Sequence, residues 1–372
     1  MTARPRLSLC MIVRDERALL ARCLASVGDL ADEIVVVDTG STDGSQDAAL
    51  AAGARVIEQP WTRDFAHARN RSLSEATGCW ILVLDADEQL TAPHRAALRE
   101  LLDEHTPRTG DPAVAFNLVQ NNVAADGRSG MLVRIIRLFP NRADVRYAWP
   151  VHEQVGDALR SAAVPVVDSD VEILHDGYAD PARNLEKQRR NRAIFEHQLE
   201  SHGSLPPMLH FLLAGAQLDL GDTESALASY RRCAALVPAG DAIGEASTVR
   251  IATCLVRLGR HDEALAAMGT GAATPSRHPE LLVLRGHCER ARGRADRAAE
   301  AYLTALDVND RAFLPPCNLA SVKLDAVGGF AALLLAQGRR EVALRMLHGA
   351  VARHREGIAT DRAWLASVLP IG

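Results

Sequence analysis

Short apolar runs alternate with amphipathic segments along the first half of the chain. Leu7–Val13, Ile34–Val37 and Trp80–Leu84 are apolar runs of strand length, typical of strands that are buried on both faces of a parallel sheet. Between them, apolar residues recur at helical spacing in Glu16–Val27 and Phe65–Ala76, which predicts two helices. A further helix and strand are predicted at Gln46–Ala52 and Arg55–Glu58. This alternation predicts a parallel α/β sheet with right-handed crossovers.

The pattern changes after residue 112, where longer strands are predicted at Ala113–Gln120, Met131–Phe139 and Val164–Leu174, the first two joined by the polar segment Asn121–Gly130. A charged helix, Arg183–Ser201, follows and leads to Leu205-Pro206-Pro207. Since proline interrupts a helix, this tripeptide is a predicted hinge. We therefore expect a first domain over residues 1-204 and a second over residues 205-372.

The second half of the chain is helix-like from Met208 onward and contains an internal repeat. The tetratricopeptide template places small residues at fixed offsets in a unit of about 34 residues. The alignment is made on four glycines, Gly221, Gly259, Gly293 and Gly338. Small residues stand before them (Ala214, Ala252, Gly286 and Ala331) and after them (Ala226, Ala264, Ala298 and Ala343). Larger residues stand further on (Tyr230, Met268, Tyr302 and Leu347). This register predicts paired helices that approach closely at the small positions. An irregular bundle rich in alanine and leucine is the alternative, because the last two glycines lie farther apart than the template allows.

Composition narrows the class of protein. A chain of 372 residues exceeds what one core usually organises, which supports two domains. The formal net charge of −5 and the aromatic content of 4% argue against a nucleic-acid partner.

Cysteines and apolar runs bear on the compartment. The seven cysteines are scattered and form no CxxC pair, so we expect neither a disulfide framework nor a zinc site. We also expect no transmembrane segment and no signal peptide, since no apolar run has the required length or flanks. The sequence is therefore predicted to be that of a cytoplasmic protein.

Acidic residues follow two of the predicted strands. Asp38 ends one apolar run, and Asp85-Ala86-Asp87-Glu88 follows another. In parallel α/β sheets, ligands gather at the carboxyl ends of strands. Two carboxylates there suit a hard divalent cation such as Mn²⁺ or Mg²⁺, which neutralises a diphosphate leaving group. The alternative is an acidic turn that only caps the next helix.

The segment Asp38–Ser45 is dense in glycine, serine, threonine and aspartate. Asp38 is placed to accept hydrogen bonds from a base or ribose, and the helix that follows presents free amides to a phosphate. Alternatively, Asp43 or Ser45 serves only as the cap of that helix.

Four segments together resemble family 2 glycosyltransferases of the GT-A fold: MIVRDE (Met11–Glu16), VVVDTGSTDGS (Val35–Ser45), FAHARNRSL (Phe65–Leu73) and LDADE (Leu84–Glu88). The resemblance covers roughly residues 7–200 and is strongest to bacterial members that carry tetratricopeptide repeats. It implies an α/β GT-A domain, nucleotide-sugar-binding and Rossmann-like, followed by an all-α tetratricopeptide-like repeat domain.

The resemblance also implies roles for single residues. It puts Asp87 in the role of direct metal ligand and Asp85 in contact with the ribose or the metal. The residues implied to lie beside the nucleotide sugar are Val13, Arg14, Asp38, Arg69, Asn70, Asp85 and Ala86. For Arg69, a solvated or ion-paired surface position is the alternative.

Two later segments carry histidines, Trp149–Glu153 (WPVHE) and Leu174–Tyr178 (LHDGY). Related repeat-bearing transferases show a similar HE pair and a later H-x-GY. An inverting displacement needs a group that deprotonates the acceptor, for which Glu153 is the candidate. His152 would then orient the acceptor, and His175 would complete the metal shell.

The alternative for this region is purely structural. Both histidines would then be hydrogen-bonded, and Glu153 would pair with an arginine such as Arg134 or Arg137. Arg134, Arg137 and Arg142 flank an apolar strand and are predicted to be solvated.

We thus expect an inverting, metal-dependent glycosyltransferase that uses a nucleoside diphosphate sugar. The acceptor stays open between a peptide or protein, a saccharide and a natural product, and the repeats would bind the acceptor, a protein partner or a second copy. One alternative is a catalytically silent scaffold that binds sugar nucleotides. Another is a nucleotidyltransferase, which is disfavoured because Met11–Glu16 offers only Arg14 and no glycine-rich loop for a triphosphate.

Overall fold

The computed structural model describes residues 6–108, 110–122, 132–175, 181–269, 278–308, 317–356 and 360–369. The chain divides into two compact units, Met1–His197 and Gln198–Gly372. Most of the predicted polar segment Asn121–Gly130, the first residue of the strand predicted from Met131, and Asp176–Tyr178 of the second histidine segment lie outside the described residues.

The first unit contains eight strands, which are β1 Leu7–Val13, β2 Glu33–Asp38, β3 Arg55–Glu58, β4 Trp80–Val83, β5 Glu88–Leu90, β6 Ala115–Asn122, β7 Leu132–Pro140 and β8 Val166–His175. Its helices are α1 Arg17–Val27, α2 Ser45–Ala51, α3 Phe65–Glu75, α4 Ala92–His105, α5 Gly156–Ser161 and α6 Pro181–His202, the last of which extends past the boundary of the unit. The predicted strands and helices agree with these bounds to within about two residues. Three elements were not predicted, namely β5, α4 and α5.

All eight strands form one sheet in the order β3-β2-β1-β4-β7-β6-β8-β5. Strands β1 to β4 are parallel to their neighbours within that group, as predicted. The prediction of a wholly parallel sheet is wrong, however, because β7 runs antiparallel to both β4 and β6, and β5 runs antiparallel to β8. Strands β6 and β8 are parallel to each other.

The sheet is covered on both faces, which explains the continuous apolar runs. Successive side chains of a strand point to opposite faces. Leu9 and Met11 of β1 pack with α1 and α4 on one face, while Cys10 packs with Ala66 and Leu73 of α3 on the other. Burial on both faces holds the carboxyl ends of the parallel strands rigidly at one edge.

The second unit consists of helices, namely α7 Pro207–Asp219, α8 Thr223–Ala235, α9 Ala242–Arg257, α10 His261–Gly269, α11 Pro279–Ala291, α12 Ala295–Leu306, α13 Leu319–Ala336, α14 Arg340–Arg355 and α15 Arg362–Val368. All four aligned glycines lie just after a helix with positive φ, between 71° and 83°. The left-handed conformation there ends one helix and starts the turn to its partner. The four alanines that follow the glycines, Ala226, Ala264, Ala298 and Ala343, are fully buried, as the repeat predicts.

Helix α13 bears on the expectation that the chain has no transmembrane segment. Among the described residues it is the one helix long and apolar enough to cross a membrane by length and composition, with a mean hydropathy of 1.7. It carries Lys323 and Asp325, and Val327, Ala331 and Leu334 are buried in the core that it shares with α12 and α14. These contacts are those of a core helix in a helical repeat.

Candidate active site

The carboxyl ends of β1, β2 and β4 open onto one cleft of about 360 Å³. Val13 and Arg14 line it from β1, Thr39 follows β2, and Asp85, Ala86 and Asp87 follow β4. The cleft also contains three of the residues predicted from the second half of the domain, His152, Glu153 and His175. The sequence-predicted site residues therefore come together, with two exceptions. Asn70 is not part of the lining, and neither is Asp38, which lies beside Thr39.

Asp38 is positioned by the turn that follows β2. Its Oδ1 accepts hydrogen bonds from the amides of Gly40 and Ser41 at 3.0 and 2.9 Å and from Gln46 Nε2 at 3.0 Å. Burial raises the pKa of Asp38, but these hydrogen bonds outweigh it and the pKa lies below its ordinary value. The carboxylate therefore stays ionised, and its buried Oδ2 has no hydrogen-bond partner among the described residues. An orphaned buried acceptor next to a cleft is suited to a donor on a bound ligand.

Asp43 serves the local structure instead. Its Oδ1 accepts from the amide and hydroxyl of Ser45 at 2.9 and 2.6 Å, and its Oδ2 accepts from the Arg17 amide at 2.9 Å. Both carboxylate oxygens are used to join the turn after β2 to the start of α1. The N-cap residue of α2 is Gly44, without a side-chain cap hydrogen bond, so Asp43 stabilises the turn and is not itself the helix cap.

A buried ion network surrounds Asp85. Arg69 Nη2 donates to Asp85 Oδ1 at 2.6 Å, and Arg137 Nη2 donates to Asp85 Oδ2 at 2.8 Å. Arg69 Nε also donates to Glu153 Oε1, and Arg137 Nη2 to Glu88 Oε1, both at 2.6 Å. Burial raises the pKa of Asp85, but the two guanidinium groups outweigh it and hold the pKa well below its usual range. The pKa of the fully buried Glu88 is raised, chiefly because burial disfavours its charge.

This network bears on the roles predicted for its members. Both oxygens of Asp85 accept hydrogen bonds from arginine side chains, which makes Asp87 the better candidate for the metal ligand. Arg69 is buried and not at the surface, and it, not Arg134 or Arg137, is the partner of Glu153. Arg142 is partly exposed and pairs with Asp144, two residues further on.

The prediction that Arg137 is solvated is wrong, since the residue is 8% exposed. In the sequence, Arg137 is flanked by apolar residues on both sides, within Ile135–Phe139. An arginine inside such a run has to be paired if the strand is buried, and that signal was sufficient to find it.

Asp87 and His175 form the second polar pair of the cleft. His175 Nε2 lies 3.3 Å from Asp87 Oδ2, and His175 Nδ1 lies 2.8 Å from Asn122 Oδ1. The sheet register explains this, because His175 at the end of β8 is paired with Glu88 of β5 on one side and with Asn122 of β6 on the other. Since an amide oxygen only accepts, the ring carries its proton on Nδ1 and presents the lone pair of Nε2 toward Asp87 when neutral.

The donor set fits a divalent cation that is shared with a substrate. Among the residues that the structure describes, no group of three or more histidine, cysteine or acidic side chains is arranged to hold a metal ion. Two candidate ligands, Asp87 and His175, face the cleft together. Mn²⁺ and Mg²⁺ are commonly bound by one or two side chains and by the phosphate oxygens of a substrate.

The segment around His152 and Glu153 is a tight, strained turn. Ala148 and Gln154 form an isolated antiparallel β-bridge. In the segment between them, Trp149 and His152 have φ values of 76° and 55°. The carbonyl of Pro150 accepts a hydrogen bond from the Phe65 amide at 2.9 Å, which ties the turn to the start of α3. Positive φ in two non-glycine residues is typical of a functional loop held by its surroundings. As a result Glu153 is part-buried beside Arg69, while His152 is exposed at the rim.

Asn70, which was predicted to lie near the nucleotide, is hydrogen-bonded to the main chain of Tyr147. Its Nδ2 donates to the carbonyl of Tyr147 at 2.9 Å, and its Oδ1 accepts from the Tyr147 amide at 2.8 Å. This pairing anchors the chain just before the strained turn, so Asn70 supports the cleft wall without lining it. Sequence position alone cannot distinguish an amide that faces a ligand from one that binds main chain.

Several residues of the cleft lining were not predicted as site residues, among them two aromatic and two cationic side chains. Trp61 and Phe65 form an aromatic wall with ring centroids 4.7 Å apart. Lys187 and Arg190 reach the cleft from α6, where the Arg190 guanidinium lies 4.8 Å from the centroid of the Phe65 ring. The positive charges of α6 were visible in the sequence, but their orientation toward the cleft was not.

Comparison with known families agrees with this architecture. Residues 8–122 match the model of glycosyl transferase family 2, and residues 179–329 match the tetratricopeptide repeat-like domain. The comparison thus assigns residues 8–122 to a family 2 glycosyltransferase domain and residues 179–329 to a tetratricopeptide repeat-like domain, as the sequence motifs predicted.

Individual relatives match parts of the chain. A TPR repeat-containing protein of Synechococcus elongatus is 46% identical over 157 residues, which is 42% of this chain and 37% of the relative. Glycosyltransferase SunS of the Bacillus subtilis prophage SPbeta is 26% identical over 231 residues, 61% of this chain and 52% of the relative. The crystal structure of S. aureus TarS covers 70% of this chain and 53% of its own, with 15% identity and a TM-score of 0.39. The chain thus spans only about a third to a half of the length of these curated relatives.

Proposed function

We propose that this protein is an inverting, metal-dependent glycosyltransferase that moves a sugar from a nucleoside diphosphate sugar to an acceptor. The observation that carries the proposal is one cleft in a family 2 glycosyltransferase domain that contains the Asp87–His175 pair and Glu153 and borders the orphaned carboxylate oxygen of Asp38. Each group suits a different part of such a donor or its reaction.

The nucleotide end of the donor is expected near β1 and β2. Asp38 Oδ2 would accept a hydrogen bond from the base or ribose, and Val13 and Arg14 would flank it. The cations of Lys187 and Arg190 would face the diphosphate across the cleft. Their positive charge favours a polyanionic ligand electrostatically.

The diphosphate would lie beside Asp87 and His175. A divalent cation bound there would neutralise the charge that develops on the leaving diphosphate. Asp85 would not hold that ion directly. Asp85 accepts hydrogen bonds from Arg69 and Arg137, and its amide donates to Glu88. These contacts instead stabilise the backbone turn that places Asp87 in the cleft.

Glu153 is the proposed general base. Its Oε1 is held by Arg69 Nε, whereas its Oε2 accepts no hydrogen bond from the described residues. The acceptor oxygen would attack the anomeric carbon as the bond to the diphosphate oxygen breaks. The bonding electrons leave with the diphosphate, and the acceptor proton passes to Glu153 Oε2. Direct displacement inverts the anomeric carbon, so an α-linked donor gives a β-linked product.

A panel of UDP, GDP and dTDP sugars, scored for hydrolysis with and without Mn²⁺, tests the proposal without an acceptor in hand. We expect one donor class to be hydrolysed only with metal, and Asp87→Ala to lose Mn²⁺-dependent donor binding. Asp157→Asn is the matched control, because Asp157 is an exposed residue of α5 that pairs only with Arg160. Normal Mn²⁺-dependent binding and turnover by Asp87→Ala would refute the metal assignment.

Glu153→Gln separates an enzyme from a silent scaffold. Because the base acts only in the chemical step, the variant should bind donor like the wild type and lose about 10²–10⁴-fold in turnover. A wild-type protein that binds a sugar nucleotide but turns none over, with or without acceptor, would support the scaffold instead.

The repeat unit is a proposed protein-interaction module. Tetratricopeptide-like repeats form extended surfaces for peptides and protein partners. Either a peptide acceptor or a second copy of this chain fits that use.

A further inference from the structure

A second cavity, of about 520 Å³, lies on the other side of the Asp85 network. Four residues line both cavities, namely Arg69, Asp85, His152 and Glu153. The first cleft and the second cavity therefore adjoin at these residues. The rest of the second cavity comes from β6, β7 and the segment Tyr147–Gly156.

From this arrangement we propose that the second cavity binds the acceptor, and that the acceptor group it binds is an uncharged, hydroxyl-bearing saccharide. The inference rests on the proposed function for the identity of the first cleft. If the donor diphosphate occupies the side of Asp87, the nucleophile has to come from the opposite side of the anomeric carbon. Glu153 lines both the first cleft and the second cavity, so its free oxygen can take a proton from a hydroxyl in the second cavity.

Charge balance selects against an anionic acceptor. The three arginines of the cavity are all neutralised, Arg69 and Arg137 by the buried network and Arg134 by Asp168 and Asp170 at 3.5 Å each. The five carboxylates around them outnumber the three cations. A phosphate or carboxylate on the acceptor would therefore meet no unneutralised cation here.

The hydrogen-bonding groups select for hydroxyls. Asn117 Nδ2 donates to Asp168 at 2.8 Å, and Gln120 Nε2 donates to Glu88 at 2.6 Å. One N–H of each amide is used in this way, and the carbonyl oxygens of both side chains remain as acceptors without a partner among the described residues. Acceptor-rich walls bind O–H donors, and a sugar presents several in a small volume.

A separate observation also indicates a polar ligand. The hydroxyl of Tyr147 is buried and has no hydrogen-bond partner in the part of the chain that the structure describes. Tyr147 lines the cavity together with Ile135 and Ile136. Apolar surfaces with a few polar groups between them suit a sugar ring, whose faces carry C–H groups and whose edge carries hydroxyls.

Direct binding tests the cavity without a donor. Saturation-transfer difference NMR on the full chain would compare the methyl glycosides of glucose, galactose and mannose with glucose 6-phosphate and glucuronate. We expect at least one neutral glycoside to bind tenfold more tightly than either anion. Gln154→Trp, which adds bulk at an exposed residue of the cavity lining, should weaken that binding at least tenfold. Asp157→Trp, on the surface of α5, is the matched control and should bind like the wild type.

Transfer then checks the role of the cavity. With the donor found in the panel, the bound glycoside should gain the mass of one sugar, and Gln154→Trp should lose that product at least tenfold while binding Mn²⁺ and nucleoside diphosphate within twofold of the wild type. Tighter binding of an anion, no loss in Gln154→Trp, or modification of a serine-, threonine- or cysteine-containing peptide with no glycoside bound would each overturn the inference. Glycoside binding that persists while no sugar nucleotide binds would instead count against the proposed function alone.

Discussion

At the scale of single residues, Asn122 decides which nitrogen of His175 faces Asp87. The hydrogen bond from Nδ1 to Asn122 Oδ1, 2.8 Å long, holds the ring and its tautomer. Partners of this kind, one step removed from a metal, typically change affinity 10–100-fold when removed. We therefore expect Asn122→Leu to weaken Mn²⁺ binding about tenfold or more, measured by EPR titration of free Mn²⁺.

The control for this variant is Asn117→Leu, five positions earlier on the same strand, which contacts Asp168 and not His175. It should bind Mn²⁺ like the wild type. Equal affinities in both variants would mean that Asn122 does not position the ring.

In the proposed metal site, the protonation of His175 would make metal binding pH-dependent. Burial lowers the pKa of His175, but the hydrogen bond and charge of Asp87 outweigh it, so the pKa is raised above its ordinary value. The free protein therefore keeps a protonated His175 paired with Asp87 at low pH and loses that pair as pH rises through the raised pKa. Metal binding has the opposite sign, because Mn²⁺ needs the deprotonated ring.

We expect the Mn²⁺ affinity to fall as pH is lowered from about 8 to about 6, by up to tenfold per unit below the pKa. Calorimetric titration of Mn²⁺ across that range measures it. His175→Asn should bind more weakly and lose most of this slope, and an unchanged slope would exclude His175 as the titrating ligand.

At the scale of elements, strand β7 presents two arginines in different surroundings. Arg137 is buried between Asp85 and Glu88, whereas Arg134 is half-exposed between Asp168 and Asp170. Removing one partner of a buried ion pair leaves an uncompensated charge, which costs about 3–5 kcal/mol. Exposed pairs contribute about 0–1 kcal/mol.

Arg137→Leu should therefore lower the free energy of unfolding in urea by about 3–5 kcal/mol, and Arg134→Leu by less than about 1 kcal/mol. The two variants are matched in strand and in substitution. Similar effects of both would show that the network around Asp85 is hydrated in solution.

Close packing between helices governs the repeat unit. Tyr302 of α12 is fully buried, and a Cβ added at Gly329 of α13 would lie 2.3 Å from its ring. A Cβ at the preceding Gly328 would meet nothing within 4 Å. Alanine therefore fits in place of Gly328, whereas the packing against Tyr302 requires glycine at Gly329.

The pair gives an internal comparison in one helix. Gly329→Ala should destabilise the protein by about 1–3 kcal/mol, because an overpacked core has to shift. Gly328→Ala should stabilise it by about 0.5–1 kcal/mol, because alanine is the better helix former. Thermal unfolding followed by circular dichroism at 222 nm would compare them, and a stabilised Gly329→Ala would contradict the packing.

At the scale of the whole molecule, thiol reactivity samples both units at once. All seven cysteines are free, and five of them are buried, namely Cys10, Cys23, Cys233, Cys254 and Cys288. Burial raises the pKa of the Cys254 and Cys288 thiols to about 11 each. Since the thiolate is the reactive species, buried thiols react slowly.

We expect Ellman's reagent to modify at most two thiols quickly in the native protein, the partly exposed Cys79 and Cys317, and all seven in guanidinium chloride. Mass spectrometry of the labelled peptides identifies the sites. Fewer than seven free thiols after unfolding under non-reducing conditions would reveal a disulfide and contradict the structure.

The sequence alone determined the features that depend on near neighbours. Apolar runs identify β1, β2 and β4, because a strand that is buried on both faces can be recognised from its own continuous apolar residues. The acidic residues after these runs mark the strand ends. The repeat glycines specify the helix ends because each needs positive φ locally. The family motifs lie in these same segments, so the domain classes and Asp38, Asp87 and Glu153 as cleft-side candidates followed directly.

Only the tertiary structure decided how distant segments meet. The three-residue strand β5 is too short to be recognised from its pattern, yet its pairing with β8 places His175 beside Asp87, and β6 supplies Asn122. The same long-range register places Arg137 against Asp85 and Glu88. Ion pairs and cavity walls depend on residues that lie tens of positions apart, and no local periodicity encodes which of them touch. The acidic cluster was therefore identifiable as a candidate site from the sequence. That Asp85 pairs with two arginines while Asp87 lies beside His175 was not identifiable.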